Sequence, residues 1–201
     1  MRALALSALV LTAATAAHAQ SGRPFTIEAQ LPGGENVETA LDGHCPVCIV
    51  EMKAWKRGDE RFASVYDGRR YLFPSAKERA IFDADPAKYA PAAGGDCVVC
   101  RVEMGKSVPG SARFAARYDG RVYLFPGDEQ RQTFLADPER YATADLAYDG
   151  DCAVCRVDMK HRMAGNEAHT AVHDGKRYLF PSDRERQVFL ANPMKYAEPQ
   201  G

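Results

Sequence analysis

The chain repeats itself three times. Cys45-Pro46-Val47-Cys48 recurs as Cys97-Val98-Val99-Cys100 and again as Cys152-Ala153-Val154-Cys155. Downstream, Tyr66-Asp67-Gly68 and the run to Pro74 return at Tyr118 to Pro126 and at His173 to Pro181. Phe82, Phe134 and Phe189 follow, then Asp85-Pro86, Asp137-Pro138 and Asn192-Pro193, and each copy closes on Tyr89, Tyr141 or Tyr196. Self-similarity at a near-constant period makes a chain a row of like units, none large enough to bury a full core alone. The copies occupy 44–91, 96–143 and 151–198, after an N-terminal arm at 20–43.

Each copy reads as one small unit. Asp-Gly pairs at 67–68, 119–120 and 174–175 are tight-turn signals, because Gly accepts positive φ. Phe62, Ser64 and Tyr66 alternate before the first turn, and Tyr71 and Phe73 alternate after it, which predicts a β-hairpin. Ser75 with Glu78, and Ser182 with Glu185, are capping boxes that open a helix. Gly127 with Gln130 is the weaker second version. Ile81 and Phe82, Phe134 and Leu135, and Phe189 and Leu190 are expected to face the hairpin. The Pro that follows stops the helix, since the residue before Pro resists the α conformation. Residues 25–29 read as a strand in the arm. The short linkers imply that the modules touch.

Residues 1–19 read as a secretory signal: Arg2, an apolar run from Leu4 to Leu11, then Ala17-His18-Ala19 as a small-x-small cleavage site, with Gln20 the expected new N-terminus. The run is too short to span a bilayer. The chain is therefore expected in a periplasm or secreted, an oxidising setting, with no membrane insertion after cleavage. With 26 basic and 27 acidic residues it lacks the basic excess of a nucleic-acid binder.

Cys-x-x-Cys, a Tyr-x-Gly-x-x-Tyr-x-Phe hairpin, a short helix and an Asp/Asn-Pro-x-x-Tyr close resemble the YHS domain and the related TRASH domain. The resemblance covers each copy nearly end to end. It implies an α+β fold of three tandem treble-clef-like modules, each a Cys-x-x-Cys knuckle, β-hairpin and short helix. It also implies metal binding, often of copper, alongside metal transporters and sensors. Where the family carries a second Cys pair, this chain has Pro74 and Glu78, Pro126 and Gln130, and Pro181 and Glu185. A four-thiolate zinc site within one module is therefore not available.

The cysteines admit three readings. Every Cys has a partner three residues away, so local disulfides fit an oxidising compartment and would make the chain a stapled interaction module. Alternatively, thiolates suit Cu(I). Met52, Met104 and Met159 stand four residues after the second Cys of each pair, so the candidate ligands are Cys45, Cys48 and Met52, Cys97, Cys100 and Met104, and Cys152, Cys155 and Met159. His44, His161, Met163, His169 and His173 could add to them locally, and zinc is the weaker metal reading. In a strand, Cys48 and Met52 would stand ~13 Å apart at ~3.3 Å per residue. In a helix they would share a face. Val50, Val102 and Val157, alternating with the Met, favour a strand with Met in the core. The third reading is a thiol-disulfide oxidoreductase, but the βαβ pattern of a thioredoxin is missing and no base recurs beside the thiols. A non-enzymatic copper-binding, buffering or delivery protein, partnered by a metal ion and a transporter or other periplasmic protein, is the leading expectation.

Overall fold

The computed structural model describes residues 37–198. The expected signal segment and the expected strand at 25–29 lie outside them. The chain is mixed α/β, built as three small units on one plan. The first unit runs α1 (Pro46–Met52), β1 (Asp59–Tyr66), β2 (Arg69–Phe73), α2 (Ala76–Ala84) and α3 (Pro86–Tyr89). The second runs α4 (Val98–Met104), β3 (Ser111–Tyr118), β4 (Arg121–Phe125), α5 (Asp128–Ala136) and α6 (Pro138–Ala142). The third runs α7 (Ala153–Asp158), β5 (Asn166–His173), β6 (Lys176–Phe180), α8 (Asp183–Ala191) and α9 (Pro193–Tyr196). Each sheet is a two-stranded antiparallel hairpin.

The hairpins turn where the Asp-Gly pairs predict. Both turn residues have positive φ, 47° at Asp67 and 70° at Gly68, as a two-residue primed turn requires. Pairing runs in register from Tyr66–Arg69 back to Ala63–Leu72 and then breaks, so Phe62 falls in an irregular stretch outside the simple alternation. Gly58, Gly110 and Gly165 cross the base of their hairpins so closely that a Cβ would collide with Leu72, Leu124 or Leu179.

Ser75 caps α2 by accepting the Lys77 N–H at 3.1 Å, and Ser182 caps α8 through Arg184 N–H at 3.2 Å. Glu78 and Glu185 turn back onto the Ser hydroxyls at 2.5 and 2.6 Å. Gly127 offers no side-chain cap. The Pro residues do more than stop a helix. Pro86, Pro138 and Pro193 each open a second short helix at its first position, where a missing N–H costs nothing. Of the expected apolar pairs only the Phe faces inward. Phe82, Phe134 and Phe189 are buried, whereas Ile81, Leu135 and Leu190 are exposed, because one residue along a helix is a ~100° rotation.

Each module contacts the other two. Val122 and Leu124 of the second module lie in one apolar cluster with Ile49 of the first and with Ala40 and Leu41 of the arm before it. The third module folds back onto the first: the Val172 N–H donates to Tyr66 Oη at 2.9 Å, and the Asp67 carboxylate accepts the N–H groups of Asp174 and Gly175 at 2.6 and 2.8 Å. The linker between Tyr141 and Cys152 is three residues longer than its counterpart between Tyr89 and Cys97. It carries Asp145, 2% exposed, which takes a two-pronged contact from Arg121 at 2.7 and 3.2 Å. Asp145 also accepts the Ala93 N–H and lies 3.5 Å from Arg177. Burial alone would raise the Asp145 pKa, but the charges of Arg121 and Arg177 and these hydrogen bonds outweigh it and hold the carboxyl below the ordinary range.

Candidate metal centre

Each Cys-x-x-Cys pair sits at the start of a helix. Cys45, Cys97 and Cys152 are the capping residues, extended in backbone, and Cys48, Cys100 and Cys155 lie in the first turn. The N–H of the second Cys donates to the sulfur of the first, at 3.1, 3.0 and 3.1 Å in the three copies. The chain then returns beneath the pair. Cys45 N–H donates to Lys56 O at 2.9 Å, Cys97 N–H to Val108 O at 2.8 Å, and Cys152 N–H to Met163 O at 2.8 Å. Each pair is thus gripped between a helix N-terminus and a tight return loop.

All six cysteines are at most 1% exposed. Cys97–Cys100 and Cys152–Cys155 are disulfides with Cα atoms 5.3 Å apart, and Cys45 and Cys48 are free thiols. A disulfide offers no thiolate until it is reduced, so the six candidate sulfurs stand in two chemical states. Burial pushes the Cys45 thiol up to about 12, and Cys48 and the charge of Glu78 contribute as well. Reactive dithiols work with depressed thiol pKa values; Cys45 is shifted the other way.

The segment from Cys48 to Met52 is helical, which overturns the strand alternation expected from the Val spacing. Cys48 and Met52, and Cys100 and Met104, are therefore helical i, i+4 pairs sharing a face, and Met159 is the residue just past α7. The methionines are not core residues: Met52, Met104 and Met159 are 46%, 53% and 54% exposed. Sulfur pairs lie inside the modules and thioethers at the surface. His44 donates Nδ1–H to Leu41 O, 2.9 Å away, and stands edge-on to Trp55. His173 takes the aromatic place that Tyr66 and Tyr118 fill elsewhere and packs on Phe189. Met163 is exposed. Among the described residues no group of three or more His, Cys, Asp or Glu side chains is arranged to hold an ion.

One set of residues around the knuckles was missed by sequence reasoning. Glu51 accepts Tyr89 Oη–H at 2.9 Å and Lys88 Nζ at 2.7 Å. Glu103 does the same with Tyr141 at 2.9 Å and Arg140 at 2.8 Å, and Asp158 with Tyr196 at 2.8 Å and Lys195 at 2.7 Å. An acid on the cysteine helix is thereby tied to the closing Tyr of the module. The signal was available: an acid stands three residues after the second Cys in every copy, 38 residues before the Tyr.

Compared with protein-family models, with curated proteins and with solved structures, the chain matches none. No helix among the described residues is long and apolar enough to cross a membrane.

Proposed function

We propose that this is an exported soft-metal-binding protein, with treble-clef-like modules, that captures Cu(I) in preference to other ions through the reduced form of its cysteine pairs and buffers it or passes it to a transporter or other periplasmic protein. The observation that carries the reading is the triplicated geometry of two sulfurs three residues apart at a helix start, with a backbone N–H directed at the first. Paired thiolates suit a soft monovalent cation that accepts two ligands, and zinc would lack its third and fourth. The raised thiol pKa of Cys45 argues against a thiol-disulfide oxidoreductase. The test is an anaerobic titration of fully reduced protein against a calibrated Cu(I) chelator. Competition that disappears on Cys→Ser replacement supports the reading, and failure to compete rejects it.

A stapled scaffold for protein interaction is the second reading, supported by the two disulfides and by the burial of all six cysteines. It predicts that reductant lowers stability and that added Cu(I) leaves it unchanged.

A further inference from the structure

The three knuckles share a backbone and differ at the mouth. The residue before the first Cys is Asp96 in the second module and Asp151 in the third, and the residue after the second Cys is Arg101 or Arg156. These pair across the knuckle: Arg156 Nη1 lies 3.2 Å from Asp151 and Arg101 Nη2 lies 4.0 Å from Asp96. The return loop joins in. Arg162 Nε reaches Asp151 at 2.6 Å, and the Ser107 hydroxyl donates to Asp96. Each of these two pairs is therefore strapped from the segment before it, through the helix that follows, to the loop beneath.

The first module has no such charged strap, only a ring contact between the residue before the first Cys and the return loop. His44 replaces the Asp, and its ring is engaged by Leu41 O and Trp55. Ile49 replaces the Arg and is fully buried. Trp55 stands where Ser107 and Arg162 stand and is 42% exposed.

We propose that the three pairs are not equivalent: Cys45–Cys48 is the pair that opens to take a soft monovalent cation, and Cys97–Cys100 and Cys152–Cys155 are closed staples. An ion held between two sulfurs keeps them further apart than a covalent bond does. A knuckle strapped at its mouth resists that separation, and the unstrapped one allows it. This inference rests on the soft-metal reading for its ligand, but the ranking of the pairs stands independently. Opening a closed pair with glutathione breaks one protein S–S bond and forms one glutathione S–S bond, and the two glutathione protons pass to the two Cys sulfurs. Cu(I) entry then breaks two S–H bonds, forms two S–Cu bonds and releases two protons.

The test uses the full chain, equilibrated anaerobically across a series of reduced-to-oxidised glutathione ratios, quenched with iodoacetamide in denaturant, and mapped by peptide mass. Cys45 and Cys48 should label at ratios where the other four remain unlabelled, with a reduction constant at least tenfold larger, about 30 mV for this two-electron couple. Labelling of all six together, or of the first module last, overturns the ranking. At a ratio that opens only the first pair, Cu(I) should bind as one ion per chain and change Trp55 fluorescence. Three ions under those conditions overturn the ranking and keep the metal reading. An intact labelling order with no ion bound keeps the ranking and removes the metal reading. Asp96→His with Arg101→Ile, which removes the charged strap of the second module and gives it two of the first module's three mouth residues, should bring Cys97 and Cys100 to the milder ratios and add a second ion. An unchanged labelling order in that variant removes the strap as the cause.

Discussion

The aromatic centre of each module and the mouth of each cysteine knuckle lie within one small unit, yet they behave oppositely across the three copies. At the centre, Tyr71, Tyr123 and Tyr178 stand 4.7, 4.6 and 4.5 Å from their Phe, and Phe73, Phe125 and Phe180 stand 5.1, 5.2 and 5.2 Å away. At the mouth two equivalent positions hold His44, Asp96 and Asp151, then Ile49, Arg101 and Arg156. A unit of about fifty residues has little interior to spare, so its rings are fixed by packing. At the mouth the second and third copies carry partly exposed ion-pairing side chains, whereas Ile49 of the first turns into the core. Similarity at the centre therefore reports the fold, and difference at the mouth reports what each copy is free to do.

The most direct way to break that comparison is to truncate the central ring in each copy. Phe82→Ala, Phe134→Ala and Phe189→Ala should each cost about 4 kcal/mol, since each removes a buried ring packed on an equivalent Tyr, Phe and closing Tyr, with His173 standing for the fourth ring in the third copy. Chemical denaturation of the three variants checks it. Clearly unequal costs would mean that the modules differ at their centres as well as at their mouths.

The next effect is at the junction between modules, where the copies are least alike. Asp145→Asn leaves the buried guanidinium groups of Arg121 and Arg177 without their shared counter-charge, a loss of about 3 kcal/mol. The sign with pH follows from the lowered carboxyl pKa. The native contribution is complete above the ordinary carboxylate pKa and is lost as pH falls through the lower folded-state value. The variant should therefore show a shallower fall in stability on acidification than the native chain. Parallel pH profiles would show that the acid adds nothing to the junction.

The third effect separates staples from the open pair. Cys97→Ala with Cys100→Ala, or Cys152→Ala with Cys155→Ala, should lower stability by about 2 kcal/mol through loss of a short-loop cross-link. Cys45→Ala with Cys48→Ala should cost less under the same non-reducing conditions, because no bond is lost. Excess reductant should erase the difference. Equal costs without reductant would show that the first pair is bonded like the others.

Much of the fold was legible in the sequence, and the site was less so. Asp-Gly turns, Ser caps and helix-ending Pro residues act within a few residues of themselves, so the hairpins and principal helices could be read locally. The cysteine helix could not: Val50, Glu51 and Met52 fit a strand period as well as a short helix, and a helix of six or seven residues is too brief for its own period to declare itself. What settles it is the capping Cys and the return loop bonded to its N–H, a contact eleven residues away. Asp145 was unreadable for a different reason. It lies in the segment that breaks the repeat, and its partners Arg121 and Arg177 belong to different modules. The closing tyrosines look like punctuation in the sequence, yet each donates its hydroxyl to the acid on the cysteine helix.

That last bond supports the smallest prediction. Tyr89→Phe, Tyr141→Phe and Tyr196→Phe each remove one hydroxyl from a carboxylate that keeps its Lys or Arg partner, so each should cost about 1 kcal/mol. Because the acid stands on the same short helix as the second Cys, loosening it loosens the floor of the knuckle. The stability costs should be alike in all three copies. The cysteine labelling should not be: Tyr89→Phe should speed alkylation of the unbonded Cys45 and Cys48 in native protein by several-fold, while Tyr141→Phe and Tyr196→Phe leave their bonded pairs unlabelled. A Tyr89→Phe variant whose thiols label at the native rate would show that the tie from α1 to α3 does not control access to the sulfurs.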